Sequence, residues 1–233
     1  MKNILSDYMR SRMERKTIKE VRKNYGPVVT ISRAYGCPAK IVAQDLALKL
    51  NQKVIGTKSQ YWKWISKEIL EESASALKLN KYTIKEAVNA NEKGVLDDII
   101  ISLAHKFYPS NGKVKKTIAD VIRGFAQEGN VIIVGRAAVS LTRSIQNSLH
   151  IRLEAPIEWR TKIISEHQKI SIDAARRKLL EIDYKRNHLR EYFEGIKPDN
   201  SIFDVVFNYQ TINENEILEC IIRLMELKQM ILI

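Results

Sequence analysis

PVVTISRAYGCPAKIVAQDLALKL, residues 27 to 50, decides how this chain is read. Val28, Val29, Thr30 and Ile31 are a β-branched run, the mark of a buried strand. A nine-residue stretch follows, Ser32-Arg33-Ala34-Tyr35-Gly36-Cys37-Pro38-Ala39-Lys40, and then Ile41, Val42, Leu46 and Leu50 recur at helical spacing. Strand, loop, lysine and helix start are the parts of a P-loop, which holds phosphate on backbone N–H groups at a helix N-terminus. The pattern G-x-x-x-x-G-K-[ST] is altered: Ala34 and Ala39 stand at its glycines and Ile41 at its hydroxyl. Gly36 offers an amide that phosphate can approach, and Lys40 can reach outer phosphates. Pro38 supplies no N–H, Ala39 is strained if the loop needs a positive φ there, and Ile41 cannot ligate magnesium. Taken alone, the stretch is either a phosphate loop or an ordinary strand–turn–helix.

Working outward, Lys53-Val54-Ile55 reads as a short strand, and residues 58–107 as helices with Tyr61, Trp62, Ile65, Ile69 and Leu70 on one face. Trp62 and Trp64 are either core or a base-stacking pair, and aromatics at this spacing favour core. Residues 108–112 read as a turn, and Thr117 to Gln127 as a helix ended by Gly129. Val131–Val134 is a second fully apolar strand closed by Gly135-Arg136, and Leu149–Leu153 a third. Pro156 opens a basic helical stretch to about Phe193, Phe203–Phe207 is the last strand, and Ile212 to Ile231 the closing helix. Strands separated by helices imply an α/β fold with a parallel sheet covered on both faces. Ligands of such sheets sit at the carboxyl ends of the strands, which places Ser32-Arg33, Gly135-Arg136 and Glu154 together.

The formal charge of +12 over 233 residues favours phosphate-bearing partners, nucleotides or nucleic acid, without choosing between them. Residues 1–25 carry much of this charge and form either a solvated basic arm or a surface for RNA or a partner. Cys37 and Cys220 are far apart, and four scattered histidines give no zinc spacing, so a reducing compartment is expected. No apolar run approaches the ~20 residues that span a bilayer, and the N-terminus lacks a signal-peptide pattern. The expectation is a soluble cytoplasmic protein that does not engage membranes.

Four segments resemble the cytidylate kinase-like family, a branch of the nucleoside monophosphate kinases. Val29-Thr30-Ile31-Ser32-Arg33-Ala34-Tyr35-Gly36 is similar to its ITISREYG; residues 131–138, VIIVGRAA, to its VIVGRAA or VIVGRGA; and residues 150–160, HIRLEAPIEWR, to its HVFIxAPLEWR. The fourth runs from Asp183-Tyr184-Lys185-Arg186 through Tyr192–Gly195 to Phe203–Asn208, similar to DKxR, YYTG and YDLVINT. The resemblance implies a three-layer P-loop NTPase-type sheet over residues 26–233. A helical acceptor lobe is then expected at about 57–127 and a lid at about 160–195.

It also implies roles. Arg33, Gly36, Cys37, Ala39, Lys40 and Ile41 would line the site of ATP and its Mg2+. Arg136 would bind the acceptor phosphate. Arg160, Arg186 and Arg190 would close over the donor, with Asp183 orienting them. Phosphoryl transfer asks for positioned cations and exclusion of water, and arginine's planar fork suits that task. Asp183, Arg186 and Arg190 share one helix face, which read alone is equally a surface ion-pair ladder. Glu154 and Asp204 are candidate magnesium ligands. Cys37 sits at a helix start, where a thiolate is favoured and could be redox-sensitive, but it reads better as a bystander. The family's Gly-Ser-Gly-Gly is Gly36-Cys37-Pro38-Ala39 here, and Ala137 replaces the aspartate that cytidylate kinases carry after Gly-Arg. Two readings follow: ATP-dependent phosphoryl transfer to a CMP- or dCMP-like acceptor, or a weak or inactive nucleotide-binding sensor. An RNA-associated protein using the basic arm is a third.

Overall fold

A computed structural model describes residues 26–54, 61–66, 112–196 and 199–231. The 1–25 arm and most of the predicted acceptor lobe lie outside these residues. Five parallel strands form one sheet in the order β2-β3-β1-β4-β5: β1 Val28–Arg33, β2 Lys63–Ile65, β3 Val131–Val134, β4 Ser148–Glu154 and β5 Val205–Asn208. The helices are α1 Ala39–Val54, α2 Gly112–Glu128, α3 Ala138–Thr142, α4 Ile157–Gln168, α5 Ile172–Glu194 and α6 Glu214–Leu227.

The apolar runs of β1 and β3 are buried on both faces, as a covered parallel sheet requires. Val28, Val131 and Ile133 pack with Ile118, Ile122 and Phe125 of α2 on one face. Val29, Ile31, Ile132, Val134, Leu149 and Ile151 pack with Leu46 and Leu50 of α1 and Ile217 and Ile221 of α6 on the other. This is the α/β fold expected of a P-loop kinase-type protein. The strand order makes β1 the switch point: chain before β4 builds one side of it, and chain from β4 onward the other. Crevices at such a point lie beyond the carboxyl ends of the strands.

Four expectations shift. Lys53 and Val54 are the last residues of α1, not a strand. The strand lies further on, at Lys63–Ile65, where a helical face carrying Tyr61, Trp62 and Ile65 was expected. The reason is tertiary: Lys63–Ile65 pair with Val131–Ile133, and the Asn51 side chain brackets Trp62, accepting from its N–H at 2.7 Å and donating to its carbonyl at 2.9 Å. Trp62 is core, 4% exposed. The basic stretch after Pro156 is two helices, broken at Lys169, which takes φ 53°, and restarted by Ser171, whose hydroxyl accepts from the Ala174 N–H. The last strand begins at Val205 rather than Phe203.

Gly129 ends α2 as expected, with φ +78°. A Cβ there would meet the Gly26 backbone at 2.4 Å, so the start of β1 passes against the end of α2 at a distance only glycines permit.

Candidate functional site

Three loops meet at the carboxyl ends of the central strands: residues 34–38 after β1, 135–137 after β3 and 155–156 after β4. The second has an unusual backbone. Gly135, Arg136 and Ala137 take φ of 73°, 58° and 52° in succession, and the Ala138 N–H closes the turn on the Gly135 carbonyl at 3.0 Å. Left-handed backbone costs a non-glycine residue about 1–3 kcal/mol and persists only where its surroundings impose it, most often at functional sites. The Arg33 guanidinium supplies part of that surrounding. A Cβ on Gly135 would fall 2.0 Å from Arg33 Nη1, so the arginine lies directly on the glycine.

Beside this turn is a cavity of about 40 Å³ lined by Arg33, Arg136, Arg152, Arg186 and Arg190, with Ser32, Asn187 and Asp183 among the other walls. Five arginines face one aspartate. Such a concentration of forked donors in a partly enclosed space has the chemistry that suits a phosphate or carboxylate. The volume takes a few waters or one small anion; a nucleoside is far larger and would lie outside it.

The long helix α5 closes the cavity against the 34–40 loop. Asp183 reaches across: its Oδ1 accepts from the Tyr35 N–H at 2.7 Å, and its Oδ2 from Arg160 Nη1 at 2.6 Å. Arg160, 7% exposed, also donates to the carbonyls of Ala155 at 2.8 Å and Tyr35 at 3.0 Å. Arg186 donates to the Arg33 carbonyl at 3.0 Å, lies 3.6 Å from Asp183 and stacks over the Tyr35 ring at 5.4 Å. Ile164, Ala175 and Leu179 form a small apolar cluster on which the Tyr35 side chain packs. Gly36 sits against Arg160 and Ile164 with φ +100°, where a Cβ would approach Arg160 Cβ to 3.1 Å.

The profile of the cytidylate kinase-like family matches residues 28–211. The chain belongs to the cytidylate kinase-like family. It is 33% identical over 86 residues to the cytidylate kinase of Methanocaldococcus jannaschii, a match covering 36% of this chain and 48% of that protein. It is 30% identical over 105 residues to that of Methanopyrus kandleri, covering 40% and 53%. The chain thus spans about half the length of the relatives it matches. A crystal structure of an uncharacterized protein from Eubacterium ventriosum superposes with a TM-score of 0.60 at 19% identity, covering 86% of this chain and 98% of that one. That likeness concerns the fold.

Within this cytidylate kinase-like frame the expected residues fall as follows. Arg33, Arg136, Asp183, Arg186 and Arg190 come together around the cavity. Arg160 does not line it and is instead bonded under the loop. Arg190 reaches the wall with its donors engaged: Nε on Glu194 at 3.0 Å and Nη2 on the Asp199 carbonyl at 2.7 Å, its face on Phe203 at 5.0 Å. Lys40 is exposed on the first turn of α1. Ala39 is the first residue of α1 and absent from the positive-φ residues, so the strain expected there does not arise; the left-handed residue of the loop is Gly36. Burial pushes the Cys37 thiol up to about 11, with the nearby Arg160 only partly opposing it, which favours the bystander reading of this residue over the thiolate. Lys185 faces solvent in an ion pair with Glu181.

Neither candidate magnesium ligand, Glu154 or Asp204, has both carboxylate oxygens open to a cation, and Ile41 has none to offer. Ile41 carries no oxygen and stands 51% exposed. Glu154 Oε1 accepts from Arg152 and Asn200; burial raises its carboxyl, and Arg152, Asn200 and Arg160 together hold it below the usual range. Asp204 lies before β5, at the wrong end of the sheet, where it accepts from the His150 N–H at 2.6 Å and pairs with Lys228 at 3.0 Å. No group of three or more His, Cys, Asp or Glu among the described residues is arranged to hold a metal.

Two participants escaped the sequence reading. Arg152 lies inside a strand, in register with Ser32, and its charge within an otherwise buried run is the signal the sequence carries for it. Glu194 left no such mark. Its carboxylate, 4% exposed, joins Arg190 to the Ser140 hydroxyl of α3 at 2.7 Å, a contact across 54 residues.

Proposed function

We propose that this chain is an ATP-dependent kinase that transfers a phosphoryl group to a nucleoside monophosphate, with a CMP- or dCMP-like acceptor. The observation that carries the reading is the arginine-lined cavity at the switch point of a cytidylate kinase-like sheet. Its size accepts a phosphoryl group while the nucleoside stays outside. Arg136, on the strained turn, and Arg33 would hold the acceptor phosphate. The loop at Gly36 and Lys40 would hold the donor. Arg186, with Asp183 as its neighbour, would neutralise charge that develops between them. ATP would supply the phosphoryl group. No step is assigned to magnesium, because Ile41 offers no oxygen and neither Glu154 nor Asp204 has both carboxylate oxygens open to a cation.

A second reading rests on a specific observation: the loop amides of Ala34, Tyr35, Cys37 and Ala39 are bonded within the protein, and Ile41 supplies no hydroxyl. A nucleotide-binding sensor with little turnover meets both facts. The discriminating experiment is calorimetric titration with a non-hydrolysable ATP analogue and then CMP, followed by turnover assays of the unaltered chain and of Ala39→Gly with Ile41→Thr. Binding of both nucleotides with turnover supports the kinase. Binding with turnover gained only in the double variant supports the sensor. Binding of neither removes both.

A further inference from the structure

We infer that Asp183 is an internal anion that holds the 34–40 loop shut, and that a phosphate-bearing ligand enters the loop only by taking its place. The inference rests on the phosphate-loop reading above and says how that loop is regulated. A phosphate loop works by presenting several backbone N–H groups to one anion. Here the Ala34 N–H donates to the Leu153 carbonyl at 2.9 Å, that of Cys37 to Ala34 at 3.2 Å and that of Ala39 to Cys37 at 3.0 Å. Pro38 has none. The Tyr35 N–H does meet an anion, and the anion is Asp183, at 2.7 Å. Of the six residues from 34 to 39, only Gly36 is outside this set.

The carboxylate has a phosphate's surroundings. One oxygen takes a backbone N–H of the loop, the other takes Arg160 at 2.6 Å, and Arg186 stands 3.6 Å away. Both arginines also donate to backbone carbonyls here, Arg160 to Tyr35 of the loop and Arg186 to Arg33 at the end of β1, each at 3.0 Å. Helix, arginines and loop are therefore one bonded unit with a negative charge at its centre. Asp183 comes from α5, 148 residues further along the chain, so its withdrawal requires α5 or the side chain to swing away. The loop then has two occupants in competition, one tethered and one diffusing. A tethered competitor weakens ligand affinity by the fraction of time it leaves the loop open.

The test uses inorganic pyrophosphate as probe and the full chain. Asp183→Asn keeps the shape and the oxygen that accepts from Tyr35 but removes the charge. Calorimetry is expected to give about tenfold tighter pyrophosphate binding by Asp183→Asn than by the unaltered chain. Unchanged or weaker binding by the variant, with the unaltered chain still binding, overturns the latch and leaves the nucleotide reading standing. Binding by neither chain overturns both. Should Asp183→Asn fail to fold, a crystal structure of the unaltered chain with pyrophosphate decides. A phosphate oxygen on the Tyr35 N–H with Asp183 turned away supports the latch. Pyrophosphate bound with the 2.7 Å Tyr35–Asp183 bond intact overturns it.

Discussion

Cys37 stands just before a helix, in the motif where a thiolate would be most at home, and burial reverses that preference. Its thiol is 7% exposed and pushed up to about 11, whereas Cys220 is exposed. Thiol reactivity follows the thiolate and access to it. At pH 8, iodoacetamide is expected to label Cys220 first, with Cys37 reacting only in denaturant; equal labelling rates by peptide mass spectrometry would contradict the packing of the loop. Gly135 makes the complementary case for backbone. It combines φ +73° with a guanidinium where a Cβ would lie. Gly135→Ala must therefore displace Arg33 and bear strain of about 1–3 kcal/mol. CMP binding is expected to fall at least tenfold, with a lowered melting temperature; unaltered affinity would mean that Arg33 does not serve the site.

Among the elements, β2 depends on its neighbours more than on its own residues. Three residues cannot hold an edge strand by propensity. Lys63 adds an ion pair to Glu128 and lies over Phe125 at 5.2 Å, and Asn51 binds the Trp62 backbone from both sides. Asn51→Ala would leave a buried N–H and carbonyl unmet, at a cost of about 1–3 kcal/mol each. Faster hydrogen exchange at residues 62–65, with β1 and β4 still protected, is the expected result. Protection unchanged across 62–65 would show that β3 pairing alone suffices. The helix α5 is tied at two points, by Asp183 to the loop and by the buried Arg190–Glu194 pair to α3. Only the first joins α5 to a backbone N–H of the 34–38 loop.

For the whole molecule, the pH dependence of stability should trace largely to His150. Burial lowers its imidazole to about 4, the neighbouring Asp204 opposing without prevailing. The ring sits between Thr30 Oγ1 at 2.8 Å and Ser148 Oγ at 3.1 Å. Between about 4 and the ordinary value of 6.5 the unfolded chain binds a proton that the folded chain refuses. Stability therefore falls as pH drops through that window and levels off below it, by about 3 kcal/mol in all. Urea midpoints measured from pH 7 to 4 should decline in the unaltered chain and flatten in His150→Gln; parallel curves would place the titration elsewhere.

By itself the sequence determined the α/β class, the central strands and the family. Val28–Ile31 and Val131–Val134 read as strands covered on both faces, their alternation with helices makes the sheet parallel, and the glycine-arginine pair after Val134 lies at the carboxyl end whatever the packing. These properties are local or periodic, so they are legible along the chain. Tertiary structure alone decided β2, which needs β3 and Asn51 to exist, and the state of the loop. Nothing in Gly36-Cys37-Pro38-Ala39 says that its neighbour Tyr35 donates to a carboxylate 148 residues away. Asp204, at the start of the last strand of a parallel sheet, already belongs to the amino end by the sequence alone; what only the tertiary structure shows is its bond to the His150 N–H and its pairing with Lys228. Hydrogen bonds and charge pairs between distant segments carry no period, and their geometry arises only when the helices close on the sheet.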